Sequence, residues 1–142
     1  MEPTEQPIQT ILLENGLILQ LMDLSRRVAG DRWNVRVKAA IGISVEDVLN
    51  KTEQQHRKEE IENVLGKQVV FEKEMIRNFI DEREKQAVVD QLCRSFLENA
   101  MTYLSRQHFA ERFLFKQYRE TLERKRIENL LKKGASRGDP SE

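Results

Sequence analysis

One cysteine, Cys93, stands in 142 residues. No disulfide can close within such a chain, and nothing points to an oxidising compartment. Leu92, Phe96 and Leu97 flank the thiol, the setting of a small apolar residue on a half-buried helix face rather than of a reactive nucleophile. Only three prolines and six glycines are present, which leaves little room for long irregular stretches. Net charge is also missing: 24 basic residues balance 24 acidic ones. That balance argues against a dedicated polyanion binder, although a local patch is compatible with it. Apolar runs fall far short of the roughly 20 residues that span a bilayer. The opening MEPTEQPIQT lacks the basic start and apolar run of a secretory signal. The expectation is a cytoplasmic protein with no membrane association.

What is present is a soluble mix, 39% hydrophobic and 34% charged, on a length that can bury a core without staples. Its organising stretch is Arg32 to Val45. Trp33, Val35, Val37, Ala39, Ile41, Ile43 and Val45 take every second place, so a strand would put them all on one face. The other face starts basic, with Arg32, Arg36 and Lys38. It ends small, with Ala40, Gly42 and Ser44, where another backbone could approach closely.

Before this strand, Ile11-Leu12-Leu13 and Leu17-Ile18-Leu19 flank Asn15-Gly16, the preferred pair for a two-residue type I′ turn. That turn would oppose Leu13 to Ile18 and Leu12 to Leu19. The hairpin would be apolar on both faces, and so either central or covered on both sides. One helical layer can cover only one, and an internal helix or a second subunit could fill the other. A helix from Leu12 to Leu24 is the alternative, disfavoured by Asn-Gly in its first turn. Ser25 to Asp31 reads as the end of the second strand and a turn at Gly30.

After it, Ser44 to Asp47 forms a capping box, and Thr52 to Gln55 offers a second. Ile61, Val64 and Leu65 give a short stripe that Gly66 can terminate. Gln68 to Ile80 reads as a fourth strand, with Val69, Phe71 and Met75 on one face and Val70 and Ile76 on the other. A helix is its rival. Asp81 to Glu84 is the best capping box of the chain. It precedes an amphipathic helix of about six turns through Val88, Val89, Leu92, Cys93, Phe96, Ala100, Tyr103 and Leu104. Ser105 ends it. Phe109, Phe113, Leu114, Tyr118 and Leu122 mark a third helix whose far end is basic.

The resulting expectation is an α+β fold, in the order β-β-β-α-β-α-α. An antiparallel three- or four-stranded sheet is covered by C-terminal helices. Residues 1–7 read as a flexible arm, 8–133 as a single domain and 134–142 as a disordered polar tail.

Chemistry is harder to find. Glu53-x-x-His56 and His108-x-x-Glu111 have helical metal spacing, but a di-iron bundle needs two motifs in one sense and two further inward glutamates. Glu72 and Glu74 share a strand side as solvated carboxylates would. No nucleophile constellation or phosphate-binding glycine pattern occurs. Arg137-Gly138-Asp139 is a chance tripeptide. No catalytic residue, metal or cofactor is therefore expected.

Function accordingly reads as a small non-catalytic interaction or regulatory module. It would act through protein contacts, homodimerisation among them. The alternative is a nucleic-acid binder using Arg32, Arg36 and Lys38 on the strand and Arg119, Arg124, Lys125 and Arg126 on the last helix. Against it, the single tryptophan lies on the opposite strand face, and basic residues at a helix C-terminus also suit the macrodipole. An enzyme whose site the sequence does not reveal is the third reading.

Overall fold

The computed structural model describes residues 7–52 and 57–137. The elements in chain order are β1 (Pro7–Leu12), β2 (Ile18–Asp23), β3 (Arg26–Ala29), β4 (Arg32–Ser44), α1 (Val45–Asn50), α2 (Lys58–Leu65), β5 (Gln68–Asp81), α3 (Lys85–Leu104) and α4 (Phe109–Arg137). The fold is α+β, an open antiparallel sheet followed by C-terminal helices. Two compact units divide it: Met1–Ile43 with Val70–Phe109, and Ser44–Val69 with Ala110–Glu142.

The first unit is built on β4. Its burial alternates as the period-two pattern requires: Val35, Val37, Ala39 and Ile41 are wholly buried, while Arg36, Lys38 and Ala40 between them are not. Each buried Val or Ile contributes roughly 1.5–3 kcal/mol. β2 pairs with β4 from Leu19↔Ile41 to Asp23↔Val37, and β3 pairs with its start at Arg26↔Asn34. Only Leu24 and Ser25 separate β2 from β3, and both are spent on Arg36. Its carbonyl accepts from Leu24 N–H at 2.8 Å, and its N–H donates to Ser25 Oγ at 3.0 Å. β2 and β3 therefore form one interrupted strand along one edge of β4, and β5 takes the other edge.

The sheet thus has five strands, one more than the upper expectation. Arg26 to Ala29, expected as the end of the second strand, is a strand of its own, because the chain rejoins β4 after Ser25 replaces one ladder bond with its hydroxyl. The β1–β2 hairpin also differs in register. Leu12 opposes Ile18 and Ile11 opposes Leu19, one residue away from the type I′ arrangement. The loop has three residues. Gly16 N–H donates to the Leu13 carbonyl at 2.9 Å, and Leu13 N–H to the Leu17 carbonyl at 2.8 Å. Gly16 alone takes positive φ, at 92°, as in a type I turn closed by a glycine bulge. A type I′ turn would have required the same of Asn15.

Asn15 has other work. Its Nδ2 donates to the carbonyls of Leu104 and Arg106, both at 2.8 Å, and its Oδ1 accepts from Leu17 N–H at 3.1 Å. The C-terminal carbonyls of a helix lack internal partners, so one side chain both closes the hairpin loop and satisfies the end of α3. At the other end of α3, Lys85 Nζ lies 4.5 Å from the centre of the Trp33 ring. The helix is pinned to the sheet at both termini, and its buried Val89, Leu92, Cys93 and Phe96 complete the core of this unit. Asp81 Oδ1 caps the turn Glu82–Glu84 that leads into α3, accepting from Arg83 N–H at 2.8 Å.

The second unit is helical. Ser44 Oγ accepts from Asp47 N–H at 3.2 Å and starts α1. Gly66, with φ 85°, ends α2. Val45, Val48, Leu49, Ile61, Leu114 and Tyr118 are its buried residues on α1, α2 and α4. Tyr118 Oη donates to Glu60 Oε2 at 2.8 Å and ties α4 to α2. Burial and that bond raise the pKa of the phenol. Leu122, which the stripe of α4 was expected to bury, is exposed. The helix also runs past Gly134 to Arg137, where the sequence reading already placed a tail.

Candidate interaction surfaces

The outward face of β4 was expected to be basic at one end and small at the other. Its three cations all meet carboxylates from β5. Lys38 Nζ lies 3.0 Å from Glu72, Arg36 Nη1 2.8 Å from Glu74, and Arg32 Nη1 3.2 Å from Asp81. The first two pairs step together, as neighbouring antiparallel strands must. The register then slips, because Asn34 reaches Asn78 rather than Ile76. Beside that slip Phe79 holds φ at 58°, a left-handed conformation that a bulky side chain adopts only at a bulge or under strain. Arg32, Arg36 and Lys38 thus form a charge ladder with their neighbour strand. Glu72 and Glu74 are its other half rather than a carboxylate pair.

Around Trp33 the charges are mixed as well. Arg27 and Lys85 both approach its ring, while its Nε1 donates to Glu82 Oε1 at 3.4 Å. Arg27 Nη2 is 3.6 Å from the same carboxylate. Arg83 Nε lies 3.3 Å from Asp81 Oδ1. The Arg83 backbone N–H first, and then its side chain, lower the Asp81 pKa below the ordinary value.

The small-residue end of β4 has different neighbours. Gly42 is exposed. Continuing the β2–β4 register by one residue sets Ile18 beside it, and Ile18 opposes Leu12 on β1. Leu12 is 73% exposed and Ile18 51%. Val70 shares the outward side of β5 with Glu72, and it too is exposed, as is Ile8 at the bulge of β1. The face turned away from the buried side of β4 therefore carries an aliphatic surface on adjacent strands. The hairpin was expected to be central or covered on both sides; β1 instead lies at the edge of the sheet with Leu12 and Ile18 exposed, in a register one residue from the expected one.

A second surface lies on α4. From Leu122 to Gly134 every residue is exposed. At 100° per residue, Ile127, Leu130 and Leu131 share a side roughly opposite to Leu114 and Tyr118, the residues that α4 buries. Beside Leu130 runs a line of cations at seven-residue spacing: Arg112, Arg119, Arg126 and Lys133, all exposed. Arg119 and Arg126 thus lie together on one ridge. Arg124 and Lys125 project from other sides of the helix. Arg126 is also paired with Glu123 at 2.6 Å. The seven-residue recurrence of these cations is a signal that the sequence itself carries.

The remaining candidates are few. Among the described residues, no three of His, Cys, Asp and Glu converge as a metal site would require, and no helix is long and apolar enough to cross a membrane. Glu53 and His56, and the second capping box from Glu53 onward, lie outside the described residues, as do Gly138 and Asp139 of the tripeptide. His108 and Glu111 sit at the start of α4. Cys93 is buried, and burial first, then Asp90 and Asp23, raise its thiol pKa.

Comparison with known proteins gives no match: no protein family, no curated protein and no solved structure resembles the chain significantly.

Proposed function

We propose that the protein is a small non-catalytic interaction module that acts through protein contacts, in its simplest form between two copies of itself. The observation that carries this reading is the outward pair Leu12 and Ile18 beside Gly42. Two large aliphatic side chains face solvent on adjacent strands, next to a position with no side chain to hold a partner away. Scattered apolar residues need no explanation, but a contiguous patch marks a contact surface. Leaving both side chains bare forgoes roughly 1–2 kcal/mol each that burial would return. The neighbouring cations are already engaged with Glu72 and Glu74, so the attraction this face offers is apolar rather than electrostatic.

Sedimentation velocity on the full chain, from about 10 to about 200 μM, tests the homodimeric form, the range being that of weak contacts. Wild type is expected to associate with rising concentration, and the L12K/I18K variant to stay monomeric with an unchanged circular dichroism spectrum. A wild-type monomer throughout would remove the homodimer.

A further inference from the structure

The exposed half of α4 is a separate surface, and the inference drawn from it does not depend on the hairpin. Ile127, Leu130 and Leu131 have the i, i+3, i+4 spacing with which an amphipathic helix presents anchors to a groove. They are 46%, 55% and 67% exposed. Within this chain α4 spends its opposite side, at Leu114 and Tyr118, on its own core. Arg119, Arg126 and Lys133 run along the Leu130 side of the anchors, turning about 20° per heptad, while Arg124, seven residues before Leu131, stands on the other side. From Leu122 to Lys133 the helix carries five basic residues, Arg124, Lys125, Arg126, Lys132 and Lys133, against two acidic ones, Glu123 and Glu128.

We infer that the C-terminal half of α4 docks into an apolar groove of a partner protein whose rim, on the side of Leu130, is acidic. Charge complementarity selects this occupant. A second copy laid antiparallel along the stripe would bring Arg126 of one chain against Lys133 of the other, like against like, because the same flanks meet across a two-fold axis. An anionic membrane would use the basic residues, but three aliphatic side chains with Glu123 on the same side make a poor insertion face. A nucleic acid would use the ridge and leave the anchors bare.

The test places a photo-crosslinking amino acid at Leu131 of the full chain, in an extract of its source cells, and sequences the crosslinked peptide by mass spectrometry. The expected result is one protein adduct whose crosslinked segment is apolar and bordered by Asp or Glu. Its yield should fall at least tenfold with Leu130→Asp and again at least tenfold with the R119E/K133E pair. All four positions are exposed, so the folded chain should keep its circular dichroism spectrum. An adduct that survives the charge reversal overturns the inference, as does a self-adduct or the absence of any protein adduct. Two further arms use the purified protein. Saturable binding to vesicles of phosphatidylcholine with 30% phosphatidylserine, or to a 20-nucleotide single strand, that persists in Leu130→Asp would overturn it as well.

Discussion

Replacing Asn15 by alanine tests the tie between the hairpin loop and α3. Three hydrogen bonds disappear at once: two to the end of α3 and one within the loop. The Leu104 and Arg106 carbonyls regain water only in part, since the Leu104 contact is half-buried. At about 1 kcal/mol for each well-formed bond, less what solvent returns, Asn15→Ala should cost about 2 kcal/mol. For a chain of this size that corresponds to roughly 5–8 °C in Tm. Asn15→Asp separates the parts. It keeps the acceptor for Leu17 N–H but replaces both donors with an anion beside two carbonyls, so it should cost more than alanine. Urea unfolding followed by Trp33 fluorescence reads both variants. A loss below about 0.5 kcal/mol for alanine, or an aspartate variant more stable than the alanine one, would refute the tie.

Phe79→Asn should stabilise the chain by about 1 kcal/mol, because asparagine tolerates the left-handed backbone that phenylalanine holds at a cost; thermal unfolding measures it, and a clear loss would show that the exposed ring has a packing role. The Arg36–Glu74 pair should show a coupling of about 0.2–1 kcal/mol in a double-mutant cycle, falling with salt, as partly exposed ion pairs do; a coupling above about 2 kcal/mol would contradict its surface placement. Cys93 should react with a thiol reagent far more slowly in the native state than in urea. Its raised pKa means that the native rate should still be climbing with pH above the range where the unfolded thiol levels off; native labelling as fast as unfolded labelling would contradict the burial.

Much of the fold was legible because it rests on local rules. The alternation from Trp33 to Ile43, the Ser44 cap, the positive φ of Gly66 and the two faces of Gln68–Ile80 are each specified within a few residues. What was not legible depends on distant partners. Asn15-Gly16 carries the same dipeptide in a two-residue or a three-residue loop, and the choice turns on the carbonyls of Leu104 and Arg106, some ninety positions away. The strand cations looked available for phosphate until β5 was placed beside them. A faint signal existed, since Arg36 and Lys38 have the same two-residue spacing as Glu72 and Glu74, but only the register makes it a ladder. The candidate surfaces follow the same division. The apolar character of both hairpin faces is legible in the sequence, but its edge position, which leaves one of them exposed, is not. The exposed half of α4 likewise depends on where its buried stripe stops, at Tyr118.

The central claim, that the outward hairpin face is a protein contact surface, is tested most directly by photo-crosslinking from Ile18 in the source cells, with Arg94 on the exposed side of α3 as the control position. The account expects a discrete protein adduct from Ile18, whether a second copy or another chain, that Leu12→Lys removes, and none from Arg94. Equal adducts from both positions, or none from Ile18, would contradict it.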